Sequence, residues 1–406
     1  MHVALYAPNW PPAGAANGIV SYVSTVREHL IANGHRVTIL SEGRRYPSDG
    51  ADTSLLEPIE TLGGFDRLQR RILRRLDTYH GGLPGLGHQL AAQVSAAHRA
   101  DPIDLLEMEE SFGWSRTVQR LTGIPVVTRL HGPHFLKPPK PRTARDRLSD
   151  LQRCHTEGRA VRSSHTLTAP TRAMMKVTCE NYRRPAQERD AVIPNPIRLP
   201  PESDRWNLAT CDRNRILMIG RFDYWKGADT MLLAFERLLR DHPDSRLTLV
   251  GPLSGIETGP GQLADFEEYA RANLSPETAR RIELTGTLTP TKIAELRRRA
   301  FVTVLASRVE NFPYALLEGL ASGSPMISTD WPGSDEIIRH GETGFLTPIG
   351  DPEALAQRLV WMFDRPESAA RAGENGRRHC AGNFSVETVG ARLIECYEAT
   401  VRNGAE

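Results

Sequence analysis

The chain has 406 residues, enough for two or three domains with sizeable cores, which excludes a peptide-like or staple-dependent fold. Hydrophobic residues at 39% and charged residues at 25% exclude wholesale disorder and fibrous repeats. Lys plus Arg number 51 against 49 Asp plus Glu, so a net charge of +2 gives no general case for wrapping nucleic acid, and any basic site must be local.

In chain order, MHVALYAPNWPP has no basic leader and only a short apolar stretch, so it reads as a buried strand (VALYA from Val3) rather than a signal peptide. A loop with Gly14 and Gly18 follows, then a helix from Gly18 to Ala32, then the strand RVTIL from Arg36. Backbone at Gly18 can approach a phosphate because no Cβ intervenes, although many first strand-to-helix turns carry glycine. FDRLQRRILRRL sets Arg67, Arg70, Arg71, Arg74 and Arg75 around an apolar stripe. A solvated charged face is preferred here over a helix lying peripherally on a membrane.

A helix from Gly87 to Ala100 precedes the strand DLLEM from Asp104, whose end carries Glu107, Glu109 and Glu110, either holding acceptor hydroxyls or facing water. A helix over Ser115 to Leu121 leads to PVVTRL and then to His131 and His134 in HGPH. A histidine at such a strand end can hydrogen-bond a sugar or transfer a proton, though a lone loop histidine more often does neither. The proline-rich basic loop after it reads as a mobile lid, before a helix over Ala144 to Ser163 and the strand TLTA from Thr166. This alternation predicts a doubly wound parallel α/β domain over 1–198.

The stretch from Pro194 to Asp212 has four prolines and no sustained period, so 199–213 reads as a linker. The alternation restarts over 214–385, and 386–406 predicts a helix with Val386, Val389, Leu393, Ile394 and Tyr397 on one stripe, packing back on the first domain. In RILMIGRFDYWKG a strand delivers Arg221 at its carboxyl end, with Lys226 and Gly227 opening a helix; a guanidinium and an ammonium there suit a diphosphate, or else Arg221 simply pairs with Asp223. Neither G-x-G-x-x-G nor a Walker loop is present. In ENFPYALLE, Glu310 precedes and Glu318 lies on a helix starting after Phe312, with Pro313 in its first turn. Backbone N–H groups of Asn311 and Phe312 would point from its N-terminus at an oxygen-rich ligand. The plainer alternatives are a helix-dipole partner for Glu310 and a solvated charge for Glu318. The five cysteines, Cys154, Cys179, Cys211, Cys380 and Cys396, form no C-x-x-C pair and no 18-residue apolar run occurs, so a reducing, cytoplasmic setting without a transmembrane segment is expected.

Taken together, Gly18, RLHGP, PNP at Pro194 to Pro196, GRFDYWKG, the glutamate pair and PGSDEIIRHGETGFL resemble family 4 of the retaining glycosyltransferases over essentially the whole chain. The resemblance implies a GT-B fold, two Rossmann-like domains facing across a cleft, and transfer from a nucleotide-sugar, UDP-linked before GDP-linked, to a hydroxyl of a polysaccharide, lipid intermediate or small molecule. It implies that Arg221 and Lys226 bind the diphosphate, Glu318 the ribose and Glu310 the transferred sugar. Asn311, Phe312, Pro313 and Tyr314 would follow around the sugar, Leu288 would lie near the base, and Gly18 near the phosphates. His131 would act at the sugar, with Asn17, Glu109, Glu110 and His134 on the acceptor side. Pro313 stands where many members have glycine, which removes one backbone N–H. No metal or other cofactor is expected, since no Asp-x-Asp triplet is found and charge on the leaving diphosphate would meet Arg221 and Lys226. The alternatives are a non-catalytic carbohydrate-binding or membrane-associated scaffold, or another enzyme of this fold such as a nucleotide-sugar epimerase.

Overall fold

Aliphatic and β-branched runs of four to eight residues become strands, and the longer segments between them become covering helices, because a parallel sheet must bury both faces. The computed structural model describes residues 1–8, 10, 18–41, 44–46, 57–58, 84–136, 143–259 and 262–404. It divides into two compact units, 1–196 with 386–406, and 197–385.

The first unit runs β1 (His2–Tyr6), α1 (Gly18–Ala32), β2 (Arg36–Ser41), β3 (Arg44–Tyr46), β4 (Glu57–Pro58), α2 (Pro84–Ala100) and β5 (Leu105–Glu109). It continues through α3 (Trp114–Thr122), β6 (Val126–Arg129), α4 (Ala144–Ser163), β7 (Thr166–Ala169), α5 (Arg172–Tyr182) and β8 (Ala191–Val192). The sheet order is β4-β3-β2-β1-β5-β6-β7-β8, parallel except for the β2–β3 and β3–β4 pairs. Thr143 caps α4 through a reciprocal capping box with Asp146.

The second unit contains β9 (Asp212–Ile219), α6 (Ala228–Leu238), β10 (Arg246–Val250), a β11–β12 hairpin (Ile256–Gly259 and Gln262–Ala264), α7 (Phe266–Asn273), α8 (Pro276–Arg280) and β13 (Ile282–Gly286). After these come α9 (Pro290–Arg299), β14 (Ala300–Leu305), α10 (Tyr314–Ser322), β15 (Met326–Thr329), β16 (Phe345–Thr347), α11 (Pro352–Asp364) and α12 (Pro366–Phe384). Its six-stranded sheet is all parallel, ordered β13-β10-β9-β14-β15-β16, the 3-2-1-4-5-6 order of dinucleotide-binding folds, and the β11–β12 hairpin is a separate antiparallel pair. One face buries Phe235, Leu238, Leu355 and Leu359 from α6 and α11, and the other buries Leu316, Leu320, Cys380 and Phe384 from α10 and α12.

The stretch 199–213, expected as a linker, belongs to the second unit. Apolar surface and hydrogen bonding fix it there: Trp206 is buried, its indole N–H donates to the Ala300 carbonyl at 2.7 Å, and its backbone N–H donates to Ser322 at 2.8 Å. The chain enters and leaves this unit side by side, since the Ile197 N–H donates to the Phe384 carbonyl at 2.8 Å.

The last helix, α13 (Val386–Gly404), belongs to the first unit. Val389, Leu393 and Tyr397 of its apolar stripe are fully buried. Gly390 lets it approach α1, since a Cβ there would lie 2.2 Å from the His29 ring. The Tyr397 hydroxyl donates to Glu107 on β5 at 2.8 Å, in the dry interior. Tyr397→Phe removes that donor and leaves a buried carboxylate oxygen unmatched, so chemical denaturation should show a loss of about 1–3 kcal/mol.

Candidate functional site

In the second unit β9 and β14 are adjacent, but their following helices lie on opposite faces of the sheet, so the loops at their carboxyl ends diverge and leave a crevice. The first of these loops runs from Gly220 to Gly227 and carries Arg221 and Lys226; the second runs from Ala306 to Pro313 and carries Glu310.

Asp223 organises the first loop. One carboxylate oxygen accepts from Arg221 Nε at 2.6 Å and the other from the Lys226 N–H at 2.7 Å. Arg221 is thus in the ion pair that the plainer reading of the sequence described, while half of its side chain stays open to solvent. Gly227 ends the loop with φ +70° as the N-cap of α6, and a Cβ there would lie 1.9 Å from the Ala306 carbonyl oxygen. Only glycine lets the two loops come this close.

Lys226 Nζ reaches Glu310 Oε1 at 2.5 Å, and the same oxygen accepts from Ser307 Oγ at 2.7 Å. Two residues outside the sequence-predicted set hold these loops together. Arg308 makes two 2.7 Å hydrogen bonds to the Asp229 carboxylate on α6, donates to the Tyr224 carbonyl, and stacks 3.7 Å over the Tyr224 ring. Its own N–H donates to the Trp225 carbonyl at 2.8 Å. Burial opposes the Arg308 charge, but the Asp229 carboxylate outweighs it and raises the guanidinium pKa. The signal in the sequence was Asp229 in the first helical turn, which reads equally well as a dipole partner.

Glu318 projects from α10 and pairs with Arg297 of α9 at 2.6 Å; the arginine is buried and the carboxylate is 40% exposed. The solvated mid-helix charge is therefore half right, because one oxygen is committed to a buried cation. Leu288 packs with Ile219, Ile293 and Leu296 against Leu217, Val250 and Ala300 beside the β13 end. One expectation needs correction. Pro313 is the N-cap of α10 and not in its first turn: its φ and ψ are −72° and 125°, and its carbonyl accepts the first helical N–H bonds from Leu316 and Leu317. The Phe312 side chain is buried, edge-on to Phe384 at 5.7 Å, so only its backbone can face a ligand.

In the first unit the order around β1 and β5 repeats the same arrangement, with Gly18 exposed as the first residue of α1. Asn17, the lid residues 137–142 and the Arg67–Arg75 helix lie outside the described residues. Glu110 was expected on the acceptor side; it is fully buried, and its two oxygens accept from the His131 and Gly132 N–H groups at 2.9 and 2.8 Å. A carboxylate needed to fix that turn cannot also face a ligand. His134 is likewise buried, its Nε2 2.7 Å from Asp150 and its N–H donating to the buried Glu157 at 2.8 Å. Glu109 is buried and accepts from Ser111 Oγ at 3.2 Å.

His131 stays at the carboxyl end of β6, edge-on to the Tyr22 ring at 5.1 Å. Burial, then the nearby Arg129 guanidinium, pushes its pKa down to about 3, so its imidazole is neutral at physiological pH. Arg129 is fully buried, donating to the Ile193 carbonyl and to Asn195 of the PNP segment, both at 2.8 Å. Phe112, at φ +60°, is the strained residue here, stacked on Trp114 and covered by the Arg153 guanidinium at 3.8 Å.

The second unit therefore presents Arg221, Lys226 and Glu310 around a crevice and a helix N-terminus, with Glu318 on the helix that follows, charges whose chemistry suits an anionic, hydroxyl-rich ligand. Comparison with known proteins supplies the rest. Residues 16–199 match the family described as Glycosyltransferase Family 4, and 202–379 match Glycosyl transferases group 1. The chain is 29% identical over 188 residues to a glycogen synthase of Mycobacterium tuberculosis, covering 46% of this chain and 43% of that protein, so the match spans less than half of that relative. It is 26% identical to a D-inositol 3-phosphate glycosyltransferase of Segniliparus rotundus, over 99% of this chain and 89% of that one. A sucrose-phosphate synthase from Thermosynechococcus elongatus shares the fold with a TM-score of 0.72, at 20% identity and over 98% of both chains. HepE of Anabaena, solved with UDP and glucose, does so at 0.65 and 17% identity, over 98% of this chain and 100% of that one. The chain belongs to family 4 of the glycosyltransferases and has their fold of two Rossmann-like parallel-sheet domains.

Glu110 supplies a pH prediction. Burial first, then the neighbouring Glu157 and Glu109 carboxylates, raises its pKa from 4.5 to about 8. The unfolded chain gives up this proton at lower pH than the folded one, so folding stability falls as pH rises from 4.5 to about 8. Glu110→Gln should flatten that decline in melting temperature, provided the His131–Gly132 turn survives.

Proposed function

We propose that the protein is a retaining, metal-independent glycosyltransferase that moves a sugar from a nucleotide-sugar, UDP-linked in the first instance, to an acceptor hydroxyl in the cytoplasm. The observation that carries this reading is the Lys226–Glu310 contact with Arg221 close by, at the carboxyl ends of the two strands that flank the switch point. Arg221 and Lys226 would hold the diphosphate and stabilise the charge that builds as it leaves, a task many transferases give to a metal ion. Glu310 would accept hydrogen bonds from hydroxyls of the transferred sugar, and the exposed part of Glu318 from the ribose. Leu288 would lie against the base.

With the diphosphate fixed by cations, the acceptor oxygen attacks the anomeric carbon from the face that the phosphate leaves. The anomeric C–O bond to phosphate breaks, the new glycosidic bond forms, and the acceptor proton passes to the departing phosphate oxygen. No dedicated side-chain base is required. His131, neutral by virtue of its surroundings, would serve as a hydrogen-bonding group toward sugar hydroxyls and not as a cationic acid. The HepE structure with UDP and glucose favours UDP as the first ligand to try. The five cysteines are free thiols, consistent with a reducing compartment.

The test is a thermal-shift panel of UDP, GDP and ADP with EDTA present, where a nucleotide at 100 times its Kd stabilises by about 2.7 kcal/mol. UDP should raise the melting temperature of the wild type and of Glu318→Gln more than that of Lys226→Ala. No shift with any nucleotide would overturn the reading. Glu318→Ala is a poorer probe, since it strips Arg297 of its carboxylate and should itself lower stability by about 1–3 kcal/mol.

A further inference from the structure

Helices α3 and α4 lie side by side in the first unit: Gln119 Nε2 donates to the Ser163 carbonyl at 3.4 Å, and a Cβ on Gly113 would sit 2.3 Å from the Thr156 carbonyl oxygen. Their outward side is basic. Arg120 of α3 and Arg147 and Arg159 of α4 are exposed, Arg116 is half-buried between the helices, and none of the four has an ion-pair partner among the described residues. Arg159 and Arg120 lie near enough to Arg116 that, after burial, they pull its pKa down.

The acids beside these arginines are already engaged. Asp146 accepts from the Thr143 N–H at 3.0 Å in the helix cap, and Asp150 is held by His134. The same surface exposes large apolar groups: Leu148 is 64% exposed, Leu151 69%, and Leu121, next to Arg120, 53%. Leu148, Leu151, His155 and Arg159 follow one another at helical spacing on a single exposed stripe, apolar at its start and cationic at its end.

We propose that this α3–α4 face docks the protein on a bilayer surface that carries anionic phospholipid headgroups. Unneutralised guanidiniums match phosphate, and the exposed leucines, Leu151 one turn from Arg147 and Leu121 beside Arg120, match the hydrocarbon boundary beneath it; a lipid interface offers both at adjacent depths. An acidic soluble protein would satisfy the arginines and leave the leucines to be covered by something else. None of these residues belongs to the donor-binding set, so this inference stands or falls independently of that reading.

The experiment is co-sedimentation of the full chain with vesicles of phosphatidylcholine alone and of phosphatidylcholine mixed with phosphatidylglycerol. Binding is expected only to the mixed vesicles and should weaken as salt is added. Arg120→Gln/Arg159→Gln should reduce partitioning about twenty-fivefold, at roughly fivefold per charge. Leu148→Ser/Leu151→Ser should reduce it roughly tenfold. All these side chains are exposed, so both variants should keep the wild-type melting temperature and its response to UDP. Equal binding to neutral and anionic vesicles, no binding by the wild type at low salt, or variants that bind like wild type would each overturn the proposal. So would a dimer in sedimentation velocity that the leucine variant dissolves while vesicles remain unbound, since that outcome assigns the face to a second copy.

Discussion

The geometry of the second unit's crevice depends on one ion pair, Arg308 with Asp229. Parallel strand order sends the loops after β9 and β14 in different directions, and each carries charged groups. Arg308 reverses the divergence: it leaves the second loop, forks onto the carboxylate at the start of α6, covers the Tyr224 ring and ties the Trp225 carbonyl to its own backbone. A bidentate pair with little solvent access holds direction as well as distance. Lys226 and Glu310 meet because their backbones are held in this way, and Gly227 is glycine because the loops are pressed together at that point.

The two units use charge differently. In the second, cations and carboxylates at the site are partly open, which leaves them able to exchange partners for a ligand. In the first, carboxylates are consumed as internal braces: Glu107 holds the last helix through Tyr397, Glu157 accepts from the Tyr182 hydroxyl, and Glu110 holds the turn that bears His131. Burial, aided by the neighbouring Arg129, keeps that histidine uncharged, and Arg129 also anchors Asn195. A neutral imidazole on a fixed turn is suited to recognising hydroxyls, which carry no charge of their own.

Outside these sites, α3 and α4 set exposed arginines without an ion-pair partner among the described residues beside exposed leucines. Where charges are left unmatched beside apolar side chains, the fold gains nothing from either, and an external partner explains both.

The sequence by itself determined the element types and the positions where chemistry could sit. Helices such as 18–32 and 144–163 were legible to the residue because hydrophobic period and caps are local, and Arg221, Lys226, Glu310 and Glu318 were legible because strand ends and helix starts are local too. Short pieces such as the edge strand Ala191–Val192 and the 256–264 hairpin were not, since two to four residues carry too little period. Residues 199–213 looked like a linker because prolines mask the features that dock them, among them the buried Trp206. Only the tertiary structure decided which carboxylates are braces sealed in the interior and which stay at the crevice. Glu110 and Glu310 both follow strands, yet one is sealed beneath backbone N–H groups and the other, only partly covered, faces a lysine at the crevice. That distinction depends on what packs around each strand end, and packing between segments distant in sequence leaves no periodic trace in either one.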